Sequence, residues 1–569
     1  MTVADSIEEA ERKDRRIFIL VEGVNIYATV LDTDQLSVIR GGSFLLKRAI
    51  EEIALTFDRR LNPLSTGASS GLFSVTDTGA VDGPLLVDEI RRHLQKHPQF
   101  RHFCFMVEWW EADSVQLAKE VLLAKVRFRQ LRSITAAPDP DEPQSAGPCQ
   151  LEGVRMLAAT GVMRKVGGQD KAVSESICQR LKFGREQRGS YYENELKAHA
   201  GEMDDWRWLD SYRFTKDIEA LAKSRVFTRL TDKIAVVYLD GNGFGGIQRT
   251  LIRQAGRVLA KEIEAQKNFD KEIKRYRARF LGDLLKRLRD SEEDSLFFPN
   301  AKVILKSEKA GIEDEKGPAF RLETLLWGGD EMLFVVPAWL GVDLLQLFYQ
   351  ISADWKIKRQ PLTHAGGVVF CNAKTPIRIV RRLAQELAER VKASPDGRAA
   401  NRFDYLVLES IDYPAETSLA DFFSIRYGAI AKYRQPLRPS PGWTDHLKAS
   451  LTEAVQKDTL PRRPIYRMAE ALTRGSLAES FYDPGAKGVG WTHLSAEGNP
   501  PEGMSAFERM ERRMLDTADN RKQLLEKIIP VIFNLFGSDR DDQRSRAWAW
   551  LHLVELWDYL IPLPEEAPE

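Results

Sequence analysis

Apolar residues fall into two kinds of run, short continuous blocks bounded by turn residues and longer stretches at helical spacing, and their order repeats along the chain. Residues 17–21 and 26–30 read as two strands, or one bulged strand, broken at Glu22-Gly23. Asp32, Thr33 and Asp34 offer capping oxygens to a helix in which Leu36, Ile39, Phe44, Leu45, Ala49, Ile50 and Ile53 recur at helical spacing. A strand at 71–75, a helix over 85–97 that Pro84 can begin, and a strand at 103–107 give the ferredoxin-like βαββαβ order. That order returns with a strand at 234–239, helix over 251–290, strands at 319–327 and 332–336 around a turn, helix 340–357, strand 364–370 and helix 376–394. A strand-like piece at 401–411 follows. Helices near 447–456, 464–472, 506–536 and 544–560 then predict a bundle with Trp548, Trp550 and Trp557 on its apolar faces.

The pattern predicts an α+β chain: two ferredoxin-like (βαββαβ) domains, a helical linker region and a C-terminal helical bundle. The expected divisions are 1–135, 136–230, 231–400 and 401–569, with the Pro-, Asp- and Ser-rich stretch 136–148 marking the first edge. A length of 569 residues requires several cores, and 83 Lys and Arg against 83 Asp and Glu give no whole-molecule field towards nucleic acid or membrane. No apolar run reaches a membrane span and the first residues carry no apolar leader, so a cytoplasmic protein without a membrane partner is expected. Cys104, Cys149, Cys178 and Cys371 lie far apart without a C-x-x-C pair, which argues against zinc and against a disulfide framework.

Two places carry chemistry. The buried strand 234–239 ends in Asp240-Gly241-Asn242-Gly243-Phe244, a carboxylate followed by residues whose backbone can approach a ligand. About ninety residues later Gly328-Gly329-Asp330-Glu331 forms the acidic tip of a predicted hairpin, its glycines supplying the positive φ of a tight turn. Hard carboxylate oxygens beside such turns suit Mg²⁺, which takes one or two carboxylates and leaves its other positions to phosphates and water. Lys392 closes the helix 376–394, where it suits either the helix C-terminus or a phosphate. Gly41-Gly42-Ser43, inside the first long helix, read first as a close packing position. The cations Lys271, Lys274, Arg275, Arg277 and Arg279 read first as a charged helix face.

With Tyr238 to Gly245, Trp327-Gly328-Gly329-Asp330-Glu331, Ala365-Gly366-Gly367-Val368, 403–410 and Asp32-Thr33 with 39–46, the chain resembles the palm-containing large subunit of type III CRISPR effector complexes, and more distantly GGDEF-type nucleotidyl cyclases. The resemblance implies two palms, the first non-catalytic. It implies that Asp240, Asp330 and Glu331, with the Gly241 carbonyl, hold two Mg²⁺ or Mn²⁺ ions and that ATP is the substrate. Asn242, Gly243, Phe244, Gly328, Gly329 and Lys392 would then contact nucleotide, and Gly41, Gly42 and Ser43 would line the groove for a second one. The product would be a cyclic or linear oligonucleotide messenger (cyclic oligoadenylate) in antiviral defence, with RNA, CRISPR-type subunits or a second copy as partners. No His-Asp dipeptide and no cysteine pairs are present, so neither an HD nuclease nor zinc is expected. The turn is Gly-Gly-Asp-Glu where the CRISPR subunits commonly carry Gly-Gly-Asp-Asp, which keeps two carboxylates, and Met332 stands where diguanylate cyclases carry Phe, which argues against guanine. The rival expectations are a catalytically idle subunit of an RNA-guided ribonucleoprotein and a palm-type polymerase with a basic groove over 271–279.

Overall fold

The computed structural model describes residues 15–563 apart from 77–81, 134–146, 154, 156–161, 167–168, 201–204, 216, 257, 292–297, 306–316, 410–417, 441–444, 458, 475–489, 497–501, 517–520 and 562. Most of the expected edge at 136–148 therefore lies outside the described residues.

The first sheet is built from β1 (Arg16–Val24), α1 (Leu36–Thr56), β2 (Leu61–Thr66), β3 (Ser70–Val75), α2 (Gly83–Lys96) and β4 (Cys104–Ala112). Its order is β2-β3-β1-β4 with every neighbour antiparallel, as the ferredoxin-like connection requires. Two expectations change here. Residues 26–30 are not a strand: Asn25 takes φ 54°, a conformation Asn tolerates, and turns the chain into the short helix Ile26–Thr29. The missing strand is β2, which Asn62 and Pro63 disguise as loop. At a sheet edge, with the register shifting between Pro63 and Ser65, a proline is tolerated. Nor does Asp32 cap α1, whose N-cap Gln35 makes no side-chain bond; Arg155 and Arg180 hold the Asp32 carboxylate instead.

After β4 the chain forms α3 (Val115–Arg132), α4 (Glu175–Glu186) and α5 (Ser190–His199). The second sheet comes from β5 (Lys233–Gly241), α6 (Phe244–Gln254), α7 (Leu259–Asp290), β6 (Glu323–Gly328), β7 (Glu331–Pro337), α8 (Gly341–Ser352), β8 (His364–Asn372), α9 (Ile377–Ala393) and β9 (Arg402–Val407), in the order β6-β7-β5-β8-β9. The first four repeat the ferredoxin-like order, and β9 adds a parallel strand beside β8, so this sheet runs past residue 400. The helical region 251–290 breaks at Gly256, φ +88°, which separates α6 from α7. Residues 356–357 pair with 360–361 in a small hairpin instead of extending α8.

The two halves share one core. The outer face of the first sheet, with Phe18, Leu20, Leu64, Leu72 and Met106, is covered by Val115, Ala118, Leu122 and Val126 of α3 and by Ile252, Leu259 and Ile263 from α6 and α7. Buried ion pairs cross the same boundary. Arg40 of α1 and Arg188 hold Glu323 of β6, and Lys47 of α1 holds Glu195 of α5, which also accepts a hydrogen bond from Trp327 Nε1 at 2.8 Å.

At the C-terminal end α10 (Gln543–Leu560) lies in the core with Trp548, Trp550 and Trp557 buried. Trp548 donates to the Ile430 carbonyl (3.2 Å) and Trp550 to Glu511 (2.9 Å). Of the helix expected over 506–536, Ala506–Asp516 is helical, and residues 521–536 form a helical run that passes through a π turn, Leu524–Ile528, into Ile529–Phe536. Across β9, Tyr405 meets His552 Nδ1 at 2.7 Å and donates to Glu555 at 2.8 Å, tying α10 to the second sheet. No helix among the described residues is long and apolar enough to cross a membrane.

Candidate functional site

β5 is the central strand of its sheet, buried on both faces by the run Ile234 to Leu239. Its last positions bring the acids together. Asp240 lies directly opposite Glu331 of β7, and the Gly241 N–H donates to the Asp330 carbonyl at 3.1 Å. The hairpin turn is Gly329-Asp330, closed by the pair Gly328–Glu331, so one glycine carries the positive φ (Gly329, 54°) and not both. Gly328 is small for another reason: a Cβ there would fall on Ala68 of the first sheet's β2–β3 loop. Gly241 has a similar constraint, since a Cβ would stand 2.7 Å from Asp330 Cβ.

Asp240 is buried, and Asp330 and Glu331 are half-buried. Burial, with Asp330 and Glu389 adding to it against Lys392, pushes the Asp240 carboxyl up to about 6. Burial first, then the charges of Asp240 and Asp330, push Glu331 up to about 7, and burial raises Asp330 as well. Lys392 of α9 donates to Asp240 Oδ2 and, at 3.3 Å, to Glu389. Tyr238, two residues before Asp240 on the same strand face, donates to Asp240 Oδ2 at 3.5 Å, and the charges of Glu331 and Asp240 bear on its hydroxyl. It belongs to the site although its own run reads only as apolar strand; the period-2 offset from Asp240 was the available signal.

Among the described residues no three His, Cys, Asp or Glu side chains are grouped to hold a metal ion. The expected three-carboxylate set is thus not preassembled, and Lys392 and Tyr238 both donate to Asp240. The donor chemistry still suits a hard divalent ion, which needs only one or two carboxylates beside phosphate and water. Mutual repulsion of the acids is what such an ion relieves.

Other expected contacts are placed differently. Phe244 is core: buried, edge-on to His364 (5.3 Å) and Phe269 (6.4 Å), and so unavailable to stack on a base. The Asn242 amide clamps the strand end to neighbouring loops, donating to Thr363 Oγ1 (3.1 Å) and the Gly397 carbonyl (3.2 Å), while its Oδ1 is buried without a partner. Gly243 (φ +66°), Gly245, Gly246 and Gly329 face open space. Gly41, Gly42 and Ser43 line no groove. They are buried in α1 where it crosses α4, and Gly41 meets Gly184 so closely that a Cβ on either would strike the other helix's backbone. Of the basic run on α7, Lys274 pairs with Asp270 (2.6 Å), Arg275 with Glu272, and Arg277 lies over the Trp327 ring (5.3 Å), so those three do not line a basic groove. Cys149, Cys178 and Cys371 are buried and Cys104 is partly buried, and none of the four is in a disulfide.

No known family profile and no curated protein matches the chain. Solved structures of Csm1 and of a type III-B Cmr complex match it at low identity. The Csm1-Csm4 cassette in complex with cA4 matches over 96% of this chain and 70% of that one, at 14% identity and a TM-score of 0.46. Csm1 from T. onnurineus matches over 88% and 68%, at 14% identity and a TM-score of 0.40. The apo type III-B Cmr-beta structure matches over 81% and 75%, at 9% identity and a TM-score of 0.40.

Proposed function

We propose that the chain is a metal-dependent nucleotidyltransferase that joins ATP into a cyclic or linear oligonucleotide, a role of the CRISPR type III kind, as its motifs imply. One observation carries this reading: two strand ends and a helix bring Asp240, Asp330, Glu331 and Lys392 together at one end of the second sheet's central strands. Asp240 and Glu331, with Asp330 over them, would hold Mg²⁺ or Mn²⁺. An ion bound there supplies Lewis-acid activation of a 3′-hydroxyl and a clamp on the triphosphate. Tyr238 donates to Asp240 and stays a donor, because burial and the charges of Glu331 and Asp240 push its hydroxyl well above the ordinary tyrosine range. The absence of a side chain at Gly241 lets Asp330 close over the strand end. Lys392 is held charged by Asp240 against the opposing effect of burial, and it can pass from that carboxylate to a phosphate.

The test is incubation of purified protein with labelled ATP and Mn²⁺ or Mg²⁺, with and without RNA, and mass spectrometry of the products. An oligonucleotide product lost on Asp330→Ala is expected; no product under any condition overturns the reading. The Lys392–Asp240 ion pair favours a second reading, an idle palm in a structural subunit. Absence of Mn²⁺-dependent ATP binding, together with co-purifying RNA-binding subunits, would establish that one.

A further inference from the structure

α3 belongs to the first half of the chain but reaches the second. Glu262 of α7 accepts the Val115 N–H at 2.8 Å, which fixes the start of α3 against α7. One turn later Lys119, partly buried, donates through Nζ to Gln248 Oε1 of α6. Gln248 is buried and neutral, so it anchors the ammonium without balancing it. The next residue, Arg249, is exposed, and its charge bears on Lys119, as does that of Asp330 from the candidate site.

Elsewhere along this boundary buried and partly buried cations meet carboxylates: Lys47 meets Glu195, Arg40 and Arg188 meet Glu323, and Lys274 meets Asp270. Among the described ion pairs none involves Lys119 or Arg249. A half-buried ammonium beside a second cation, with an amide as its fixed partner, is a charge arranged for an incoming anion. The same side of α6 is open. Gly245 precedes Gln248 and Arg249 by three and four residues, so it shares their face, and a side chain at Gly245 would meet nothing.

We propose that Lys119, with Arg249, binds the polyphosphate of the nucleotide whose reacting end lies at Asp240 and Asp330, so that both halves of the chain hold one substrate. The inference rests on the nucleotidyltransferase reading. Lys119 grips the phosphates from the first sheet's side and Lys392 from the second's, and Gln248 positions Lys119.

Calorimetric titration of the full chain with ATP, adenosine and inorganic tripolyphosphate tests it, on wild type, Lys119→Met, Lys119→Gln, Lys119→Arg and Arg249→Met. Lys119→Met and Lys119→Gln should weaken ATP and tripolyphosphate about tenfold or more, the scale of a lost charge-assisted contact. Lys119→Arg should retain most of the affinity, adenosine should be unaffected, and Arg249→Met should cost a few-fold. Lys119→Gln keeps a hydrogen-bonding partner for Gln248 and serves if the methionine variant folds poorly, with thermal midpoints as the check. Equal ATP affinity in wild type and the neutral variants overturns the inference, as do equal losses for ATP and adenosine, which mark a packing role. No binding of ATP or tripolyphosphate by wild type also overturns it. Polyphosphate binding that depends on Lys119 without any oligonucleotide product supports the inference while the catalytic reading fails.

Discussion

Gly241 stands where a strand, a hairpin turn and a buried ring converge, with Asp330 Cβ and the Phe244 ring each 2.7 Å from the side chain it lacks. Gly241→Ala must displace one of them. Overpacking of this kind costs about 1–3 kcal/mol, so the variant should still fold. Displacing Asp330 is the easier route, because a half-buried turn yields before a core ring. The expected outcome is loss of Mn²⁺-dependent ATP binding with only a modest fall in the urea midpoint, read by titration and denaturation on the same preparation. The acids themselves were legible in the sequence because each interrupts an apolar block at a glycine. Phe244 and Asn242 were not, since residues beside a glycine-rich turn read as ligand contacts whether their side chains face the ligand or the core. Only the packing of His364 and Thr363 against them decides the matter.

At the scale of elements, α5 acts as a pin between the sheets through Glu195. Burial alone would raise its carboxyl, but Lys47 and then Arg277 overcome that and hold it at about 2, below the ordinary 4.5. A carboxylate depressed in the folded state stabilises above its unfolded pKa, and that stability disappears as pH falls from about 4.5 towards 2. The shift corresponds to roughly 3 kcal/mol at most. Urea unfolding at pH 7 and pH 3.5 should show a smaller acid loss in Glu195→Gln than in wild type, with Trp327 fluorescence following the change because its indole N–H rests on this carboxylate. Sequence periodicity found α5 only as part of a mostly helical region, since nothing local says what its buried acid will meet. It found the order of strands in the second sheet because those strands are continuous apolar runs, and it lost β2 because an edge strand can carry Asn62 and Pro63 without cost.

For the whole molecule, the shared core forbids independence of the halves. Residues 15–133 taken alone would expose Phe18, Leu20, Leu72 and Met106 wherever Ile252, Leu259 and Ile263 now cover them. That fragment should be aggregation-prone or loosely packed, with poor dispersion of its amide NMR signals, whereas the full chain should unfold the two sheets in one calorimetric transition. Separate transitions for the two sheets would refute this. The doubled βαββαβ order was visible in the sequence, but the covering of one sheet by the helices of the other was not, because apolar helix faces do not name their partners.

The hairpin that carries Asp330 is gripped at both ends by residues outside its own sheet. β6 begins at Glu323 between Arg40 and Arg188 and ends at Gly328 against Ala68. In evolutionary terms, the site's freedom to drift is governed by a domain that contributes none of its acids. A substitution in the loop around Ala68 should be purged as strictly as one in the turn it touches, and lineages that lose the first sheet should lose the acidic turn with it.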